Sequence, residues 1–265
     1  MLIGLYQPQD ESRFQPQQQL QLIPFDQKGI DNFFQQIRLR GQDDIVEVAL
    51  LHGLTVSRLN ENSKQLKEIK QMPFEDKWIK GGIYYGQCVD GLRNGYGLLY
   101  CTNDGDPFLF ECEWGDTVKG RQIWIEGDKY MKFDGQFDEG YLRTGNGSWL
   151  QEDGVTYLGE WKDDQKHGFG KFTWLSGAIY EGEWVNGKKQ GQGRYRWPDD
   201  KIFEGEWKED KRHGRGRITM QNGDYQIGMY EYGKNTGVHN YFSREGKLIE
   251  KQTFENGIVV KTETI

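Results

Sequence analysis

The residues of this chain that could do chemistry are glycine pairs, two histidines, three cysteines and repeated carboxylates. A Gly-X-Gly pair can cradle a phosphate when a helix follows and turns its amide groups toward the ligand. Such pairs lie at 95/97, 145/147, 168/170, 191/193 and 214/216. An alternating strand pattern follows them instead of a helix, and the last four pairs recur every 23 residues. We therefore expect no nucleotide site and no bound cofactor.

The histidines and cysteines also lack the spacing that chemistry needs. His167 and His213 each precede one of these glycines, and no nucleophile and carboxylate accompany them in a triad-like arrangement. We interpret both as turn residues. Cys88, Cys101 and Cys112 have no metal-ligand spacing, so we expect buried free thiols and no metal site.

Carboxylates recur two residues apart, as in Glu181 and Glu183 and again in Glu204 and Glu206. In a strand this spacing places both side chains on one face. A solvated ladder explains the pattern better than a pair of catalytic acids. Without a catalytic constellation, the sequence predicts that the protein is not an enzyme.

Composition narrows the class of protein further. The 265 residues carry 34 Lys and Arg against 41 Asp and Glu, a formal net charge of −7, which disfavours nucleic-acid binding. Hydrophobic residues make up 35% and the mean hydropathy is −0.86, yet aromatic residues reach 14%, unlike a disordered chain. No apolar run is long enough for a membrane helix, and the first 20 residues resemble no secretory signal. With an odd number of cysteines, these features predict an intracellular protein with reduced thiols, which we place in the cytoplasm.

Glycine is concentrated after residue 83, where 30 of the 36 glycines lie, and there the chain repeats itself. In each unit an aromatic residue is followed by Gly at +2, Trp at +4, Gly or Asp at +7 and Gly at +11 and +13. The clearest units start 23 residues apart, at Tyr157, Tyr180 and Phe203. Weaker units start upstream at Tyr84, Phe110 and Phe133, and the pattern continues to about residue 257. We count about seven units and a fragment.

Each unit predicts a β-hairpin. Apolar and polar residues alternate on both sides of a turn at Asn186-Gly187, and a second turn at 198–200 leads to the next unit. The predicted fold is mostly β, an elongated single-layer antiparallel sheet of tandem hairpins. Because the glycines share the face of the aromatic rings, we expect the rings to lie over bare glycine backbone.

The unit also suggests a register between its two strands. If Trp184 pairs with Gly191, then Glu181 lies opposite Arg194. The next unit would then pair Glu204 with Arg217 and Glu206 with Arg215. Such pairs help to fix the register, although each contributes only about 0.2–1 kcal/mol.

The N-terminal part, residues 1–83, does not repeat, and we separate it from an array at 84–265. The Gln-rich stretch 1–42 predicts an extended arm. Helices are predicted over Ile30 to Leu39, over Asp43 to His52 before a stop at Gly53, and over Asn60 to Gln71. Two roles stay open for this part: a cap over the edge of the first hairpin, or an arm that orders when it binds a partner.

Three segments are similar to MORN repeats: Tyr-Glu-Gly-Glu-Trp-Val-Asn-Gly at 180–187, Lys-His-Gly-Phe-Gly at 166–170 and Lys-Arg-His-Gly-Arg-Gly at 211–216. The resemblance covers roughly residues 84–257. It implies rows of β-hairpins that serve mostly as assembly modules, for example in radial spokes of cilia, cytoskeletal scaffolds and membrane junctions, with lipid binding proposed for some members. Cys88 in a Trp position and Cys112 in a Gly position depart from the pattern.

From these observations we expect a non-catalytic scaffold that docks other proteins of a large complex. The resemblance favours a ciliary axoneme or related cytoskeleton as the setting. Two copies could also associate through the exposed sheet edges. The expected docking groove is an aromatic stripe formed by Tyr157, Trp161, Trp174, Tyr180, Trp184, Tyr195, Trp197, Phe203 and Trp207.

The alternative is a peripheral membrane module that binds anionic phospholipid. It rests on the segment 188–217, where ten basic and six acidic residues give a net charge of +4. The expected anion-binding residues are Lys188, Lys189, Arg194, Arg196, Lys211, Arg212, Arg215 and Arg217.

Overall fold

The computed structural model describes residues 24–63, 67–103 and 105–265, and it begins with three short helices. They are α1 Gln27–Arg38, α2 Asp43–Leu51 and α3 Val56–Asn62. The side chain of Asp26 accepts a hydrogen bond from a backbone amide at the start of α1, and that of Thr55 does the same for α3. The first two predicted helices are confirmed. Residues 1–23 of the predicted arm lie outside the described residues, and its later part forms α1.

Seventeen strands follow in one open sheet. Each pairs antiparallel with the next along the chain. They are β1 Glu68–Phe74, β2 Gly82–Val89, β3 Leu92–Asn103, β4 Asp106–Trp114, β5 Val118–Glu126, β6 Lys129–Phe137, β7 Arg143–Gln151, β8 Thr156–Lys162, β9 Gln165–Thr173, β10 Ile179–Val185, β11 Lys188–Arg196, β12 Ile202–Lys208, β13 Lys211–Thr219, β14 Tyr225–Glu231, β15 Lys234–Phe242, β16 Leu248–Glu255 and β17 Ile258–Thr264. The predicted fold class, a sheet of tandem hairpins with a small helical N-terminal part, is confirmed.

The predicted helix from Asn60 to Gln71 is wrong. Helix α3 ends at Asn62, and Glu68–Phe74 is strand β1. The apolar residues here have a period of two: Met72 and Phe74 contact one core, whereas Ile69 contacts the core on the other face. Pairing along the whole length of β2 therefore decides the structure of this segment.

Tight two-residue turns join the two strands of most hairpins. At Asn186 and Gly187, as at Asp163 and Asp164, both central residues have positive φ. Turns of this kind match the right-handed twist of paired strands. The turn predicted at Asn186-Gly187 is confirmed.

One face of the sheet, which we call the aromatic face, carries the repeated rings, and they lie over glycine. A Cβ atom added to Gly182 would lie 2.7 Å from the Tyr180 hydroxyl oxygen and 2.6 Å from the Cα atom of Gly193. Tyr157 covers Gly159 and Gly170 in the same way. The prediction of rings over bare backbone is confirmed, and this packing forms a core without a second layer.

The predicted register is partly right. Glu181 pairs with Arg194 as expected, but Trp184 pairs with Lys189 and not with Gly191. The reason is a β-bulge after Gly182, which shifts the pairing of the remainder of the hairpin.

The next unit repeats both outcomes. Glu204 pairs with Arg217 as expected, whereas Glu206 lies opposite His213 and not opposite Arg215. A bulge between Gly205 and Glu206 again accounts for the difference.

The helices pack on the opposite face, which we call the outer face, over strands β2 to β5. Phe33, Ile37 and Ile45 of the helices are fully buried there with Tyr85 and Leu98 of the sheet. The predicted cap over the edge of the first hairpin takes another form, because β1 pairs along that edge and the helices cover a face. The division at residues 83 and 84 stays a prediction, and the sheet itself extends upstream to Glu68.

A buried carboxylate joins the helices to the sheet. Glu111 on β4 is only 2% exposed and accepts hydrogen bonds from Arg58 Nε of α3 at 2.7 Å and from the Tyr96 hydroxyl at 2.9 Å. Arg121 lies 3.7 Å from the same carboxylate and donates to the backbone oxygen of His52 at 3.0 Å. This ionic network fixes how the helices sit on the outer face.

Candidate functional site

All nine residues of the predicted aromatic stripe lie in the aromatic core or against it. Their exposure differs, however. The first ring of each unit, at Tyr157, Tyr180 and Phe203, is fully buried. The tryptophans at +4 are nearly buried, and Trp184 is 4% exposed. The buried members are Tyr157, Trp161, Tyr180, Trp184, Phe203 and Trp207, and the half-buried members are Trp174, Tyr195 and Trp197.

The buried rings are held in fixed orientations. Tyr180 and Trp184 meet edge to face, with ring centroids 5.1 Å apart. The indole Nε1 of Trp184 donates to the backbone oxygen of Gly170 at 3.1 Å, and the Tyr180 hydroxyl donates to the backbone oxygen of Glu183 at 3.0 Å. Because their polar atoms already have partners inside the sheet, these rings are structural.

The half-buried rings form the accessible part of the stripe. Phe172 and Trp174 lie 4.6 Å apart, Trp174 and Tyr195 5.4 Å, and Tyr195 and Trp197 4.8 Å, all measured between ring centroids. These four residues, which we call the aromatic rim, continue from β9 to the end of β11. They are packed against the core on one side only.

A row of cations lies on the same face, and sequence reasoning missed its pattern. Lys189 Nζ lies 4.7 Å from the ring centroid of Trp207, and Lys166 Nζ lies 5.2 Å from that of Trp184. The Arg212 guanidinium lies 4.9 Å from the Tyr230 ring. The signal was present in the sequence, since a cation occurs nine residues after each of Tyr157, Tyr180 and Phe203.

Contact with the rings removes water from these cations. Burial lowers the pKa of Lys166, and the positive charge of Arg143 lowers it further, while Asp210 opposes the shift. Burial likewise lowers the pKa of Lys189, again against the attraction of Asp210, and it lowers the pKa of Arg212. Among the described residues, none of these three cations has a carboxylate within ion-pair distance.

An open cavity of about 480 Å³ adjoins this row on the aromatic face. Trp124 and Trp161 line it beside Arg143 and Lys166. Arg143 lies over both tryptophans, and its Nε is 2.8 Å from the carboxylate of Asp164. The cavity therefore combines aromatic walls with one paired cation and one cation that has no ion pair among the described residues.

The predicted anion-binding residues do not form one patch. Lys189 and Arg212 lie against rings of the aromatic face. The other six are exposed, namely Lys188, Arg194, Arg196, Lys211, Arg215 and Arg217. Arg194 lies 3.5 Å from Glu204, and Arg196 pairs with Asp200. Alternation along the strands divides the basic residues between the two faces.

The paired carboxylates are not simply a solvated ladder. Glu183 accepts a hydrogen bond from the backbone amide of Gln192 at 2.8 Å, within the bulge. Glu206 does the same for the amide of Arg215 at 3.3 Å. In the first unit Gln87 accepts from the amide of Tyr96 at 2.8 Å. This position of the repeat therefore has a structural role, which its spacing alone did not reveal.

The two repeat histidines lie in strands, so their interpretation as turn residues is wrong. His167 is on β9 opposite Glu160, and His213 is on β13. His239, which had no predicted role, is fully buried over Gly228. Burial lowers the pKa of His239.

The cysteines are free and buried, as predicted. Burial raises the pKa of Cys101 to about 12, and it raises the pKa of Cys112 well above the ordinary value. Such thiols are poor nucleophiles at neutral pH.

Two features are absent from the residues that the structure describes. No group of three or more His, Cys, Asp or Glu side chains there could hold a metal ion. No helix there is both long and apolar enough to cross a bilayer.

Comparison with known proteins assigns the repeat. A family model described as the MORN repeat matches residues 84–105, 157–179, 180–201 and 203–225. No curated protein gives a significant match to the chain. The matched segments coincide with four hairpins of the sheet, and the unmatched hairpins between and after them continue the same antiparallel pairing. The chain therefore contains MORN repeats in these four segments, within a longer sheet of hairpins that is consistent with such a repeat protein.

Proposed function

We propose that the protein is a non-catalytic docking platform whose aromatic face binds a segment of a partner protein. The observation that carries this proposal is the aromatic rim, in which Phe172, Trp174, Tyr195 and Trp197 form a continuous, half-buried strip beside cations. Interface centres are enriched in tryptophan, tyrosine and arginine and depleted in most other charged residues. The MORN repeat supports this reading, since the family is generally non-catalytic.

The setting we propose is a ciliary axoneme or a related cytoskeletal assembly. Family analogy is its only support, whereas the docking surface rests on the geometry of the sheet. The partner would be another protein of the same assembly.

Proximity labelling with matched variants tests the proposal. The variant Trp174→Ser/Trp197→Ser alters the rim, and Leu158→Ser/Phe169→Ser alters two apolar residues that are exposed on neighbouring strands, 64% and 56% respectively. We expect one set of labelled proteins to disappear with the rim variant and to persist with the control. Axonemal or cytoskeletal proteins in that set would support the setting, and equal labelling by both variants would contradict the docking surface.

The second candidate function is binding of anionic phospholipid, which MORN repeats also allow. The exposed arginines Arg194, Arg215 and Arg217 are the residues that favour it. Flotation with vesicles of anionic and of neutral lipid, at low and high salt, separates the candidates. Binding to anionic vesicles that high salt abolishes would favour the lipid, because exposed charges are screened.

A further inference from the structure

The cations of the aromatic face follow the period of the sheet. Arg143, Lys166, Lys189 and Arg212 lie on β7, β9, β11 and β13, so each is two strands from the next. Neighbouring strands are about 4.8 Å apart, which puts successive cations roughly 10 Å apart.

Among the described residues, Arg143 alone of these four cations has an ion-pair partner. Asp164 lies 21 residues after Arg143 and accepts hydrogen bonds from its backbone amide and from its guanidinium. At the equivalent place after Lys166 stands Gly187, which has no side chain to offer. Asp210 is the equivalent residue for Lys189, but its carboxylate accepts from the backbone amide at 3.0 Å and makes no ion pair with the ammonium group.

The ammonium groups of Lys166 and Lys189 are therefore already partly desolvated before a carboxylate of a ligand binds to them. Charge pairs in such surroundings are stronger than exposed pairs, since less solvent screens them. The apolar rings around both ammonium groups require apolar neighbours beside that carboxylate.

The aromatic face is better suited to a helical ligand than to an extended one. The indole Nε1 of Trp184 and the Tyr180 hydroxyl are already bonded within the sheet, so this part of the face offers few partners to an extended peptide. An extended chain would bury unpaired amides and carbonyls there, whereas an α-helix satisfies its own. Helical residues seven apart lie on one face of the helix and are about 10.5 Å apart along its axis, close to the spacing of the cations.

We infer that the aromatic face recognises an amphipathic α-helix of a partner protein that carries acidic residues seven positions apart among apolar ones. Lys166 and Lys189 bind the two carboxylates, and the aromatic rim packs against the apolar residues between them. This inference rests on the proposed function and adds the chemistry of the partner.

Selection from a library of displayed helical peptides, with the full chain as bait, tests it. We expect enriched peptides to carry Asp or Glu seven positions apart among Leu, Phe or Trp. A synthetic copy of an enriched peptide is then titrated against the full chain and its variants. Lys166→Gln/Lys189→Gln keeps most of the packing over the rings and should weaken binding roughly tenfold or more, as expected for loss of partly desolvated charge pairs.

The matched control is Lys171→Gln/Lys188→Gln, which removes the same charge from exposed positions of the same two strands. We expect it to change affinity by less than about threefold, because charges at exposed positions contribute little to binding. Circular dichroism of both variants should match the unaltered chain.

The possible failures are distinguishable. Peptides that need Trp174 and Trp197 but show no acidic spacing, or that bind both lysine variants equally, would overturn the inference and leave the docking platform standing. If no enriched peptide depends on the rim, the inference fails, and proximity labelling with the rim variant decides the docking platform separately. Flotation of the chain with anionic vesicles that Lys166→Gln/Lys189→Gln abolishes would assign the two lysines to lipid headgroups and overturn the helix.

Discussion

Two regions of the repeat array solve the same packing problem in different ways. In β8 to β13 the outer face is open to solvent, and among the described residues the rings over glycine on the aromatic face form the only core. In β2 to β5 the helices cover the outer face and supply a second core. Strand β2 is accordingly buried on both faces, whereas β10 alternates between buried and exposed residues.

The difference bears on one irregular unit, but it does not decide which units match the family model. Units with one core match at 157–179, 180–201 and 203–225, and the unit at 84–105 matches beneath the helices. The unit that starts at Phe110 has helices behind it, and it lacks the bulge and carries Cys112 in place of a glycine. In this unit the loss of a ring over bare backbone accompanies a second source of burial.

The variant with the largest expected effect tests whether the two cores are independent. Phe33→Ala removes a fully buried ring from the helical layer and should cost about 3–5 kcal/mol of local stability. Since units contact mainly their neighbours, hydrogen exchange should accelerate in β2 to β5 and stay unchanged in β10 to β13. Equal acceleration throughout the sheet would show that the cores do not act separately.

Substitution of a glycine tests the core on the aromatic face, with a smaller expected effect. Gly182→Ala places a methyl group against backbone atoms and should cost roughly 1–3 kcal/mol in denaturant unfolding. Gly115→Ala is the control, because nothing lies within 4 Å of the added atom. In the irregular unit the opposite exchange, Cys112→Gly, should also destabilise, by about 1 kcal/mol, since it empties a buried site and loosens a strand. Stability unchanged by Gly182→Ala would refute the packing of ring on glycine.

The side chains that accept a hydrogen bond from a backbone amide at the bulge give the smallest expected losses of stability. These losses should differ between the region beneath the helices and the region with an open outer face. Gln87→Ala leaves the amide of Tyr96 without this acceptor beneath the helices, at a cost of about 1–3 kcal/mol. Glu183→Ala removes the same kind of bond from an exposed bulge, where water replaces it, and should cost about 0.5–1.5 kcal/mol. Equal unfolding free energies for the two variants would contradict the shielding of Gln87 by the helices.

Much of this fold was predictable because the spacing of residues within each repeat decides how they pack. Tyr180, Gly182 and Trp184 alternate within one strand, so their spacing fixes the face they share. The bulge was not predictable from alternation, because it depends on Gly191 adopting positive φ and on a carboxylate from the opposite strand. The strand at Glu68–Phe74 was missed since its conformation depends on pairing with β2.

The candidate site was predictable only in outline. The aromatic stripe followed from composition, but the exposed part could not be separated from the buried part without the packing of Trp174 on Tyr195. Lys166 was overlooked and Lys189 was grouped with exposed cations, because a count of charges along the chain ignores the face on which each lies.

The tight turns at Asp163-Asp164 and Asn186-Gly187 have one more consequence. Each hairpin begins and ends at the same end of its two strands. A whole 23-residue block can therefore be duplicated or deleted without reversing the direction of the strands that follow. Genetic change in whole blocks would lengthen or shorten the array by about 10 Å at a time. Insertion of any other length would have to be absorbed in the wider connections, such as the one at 198–200.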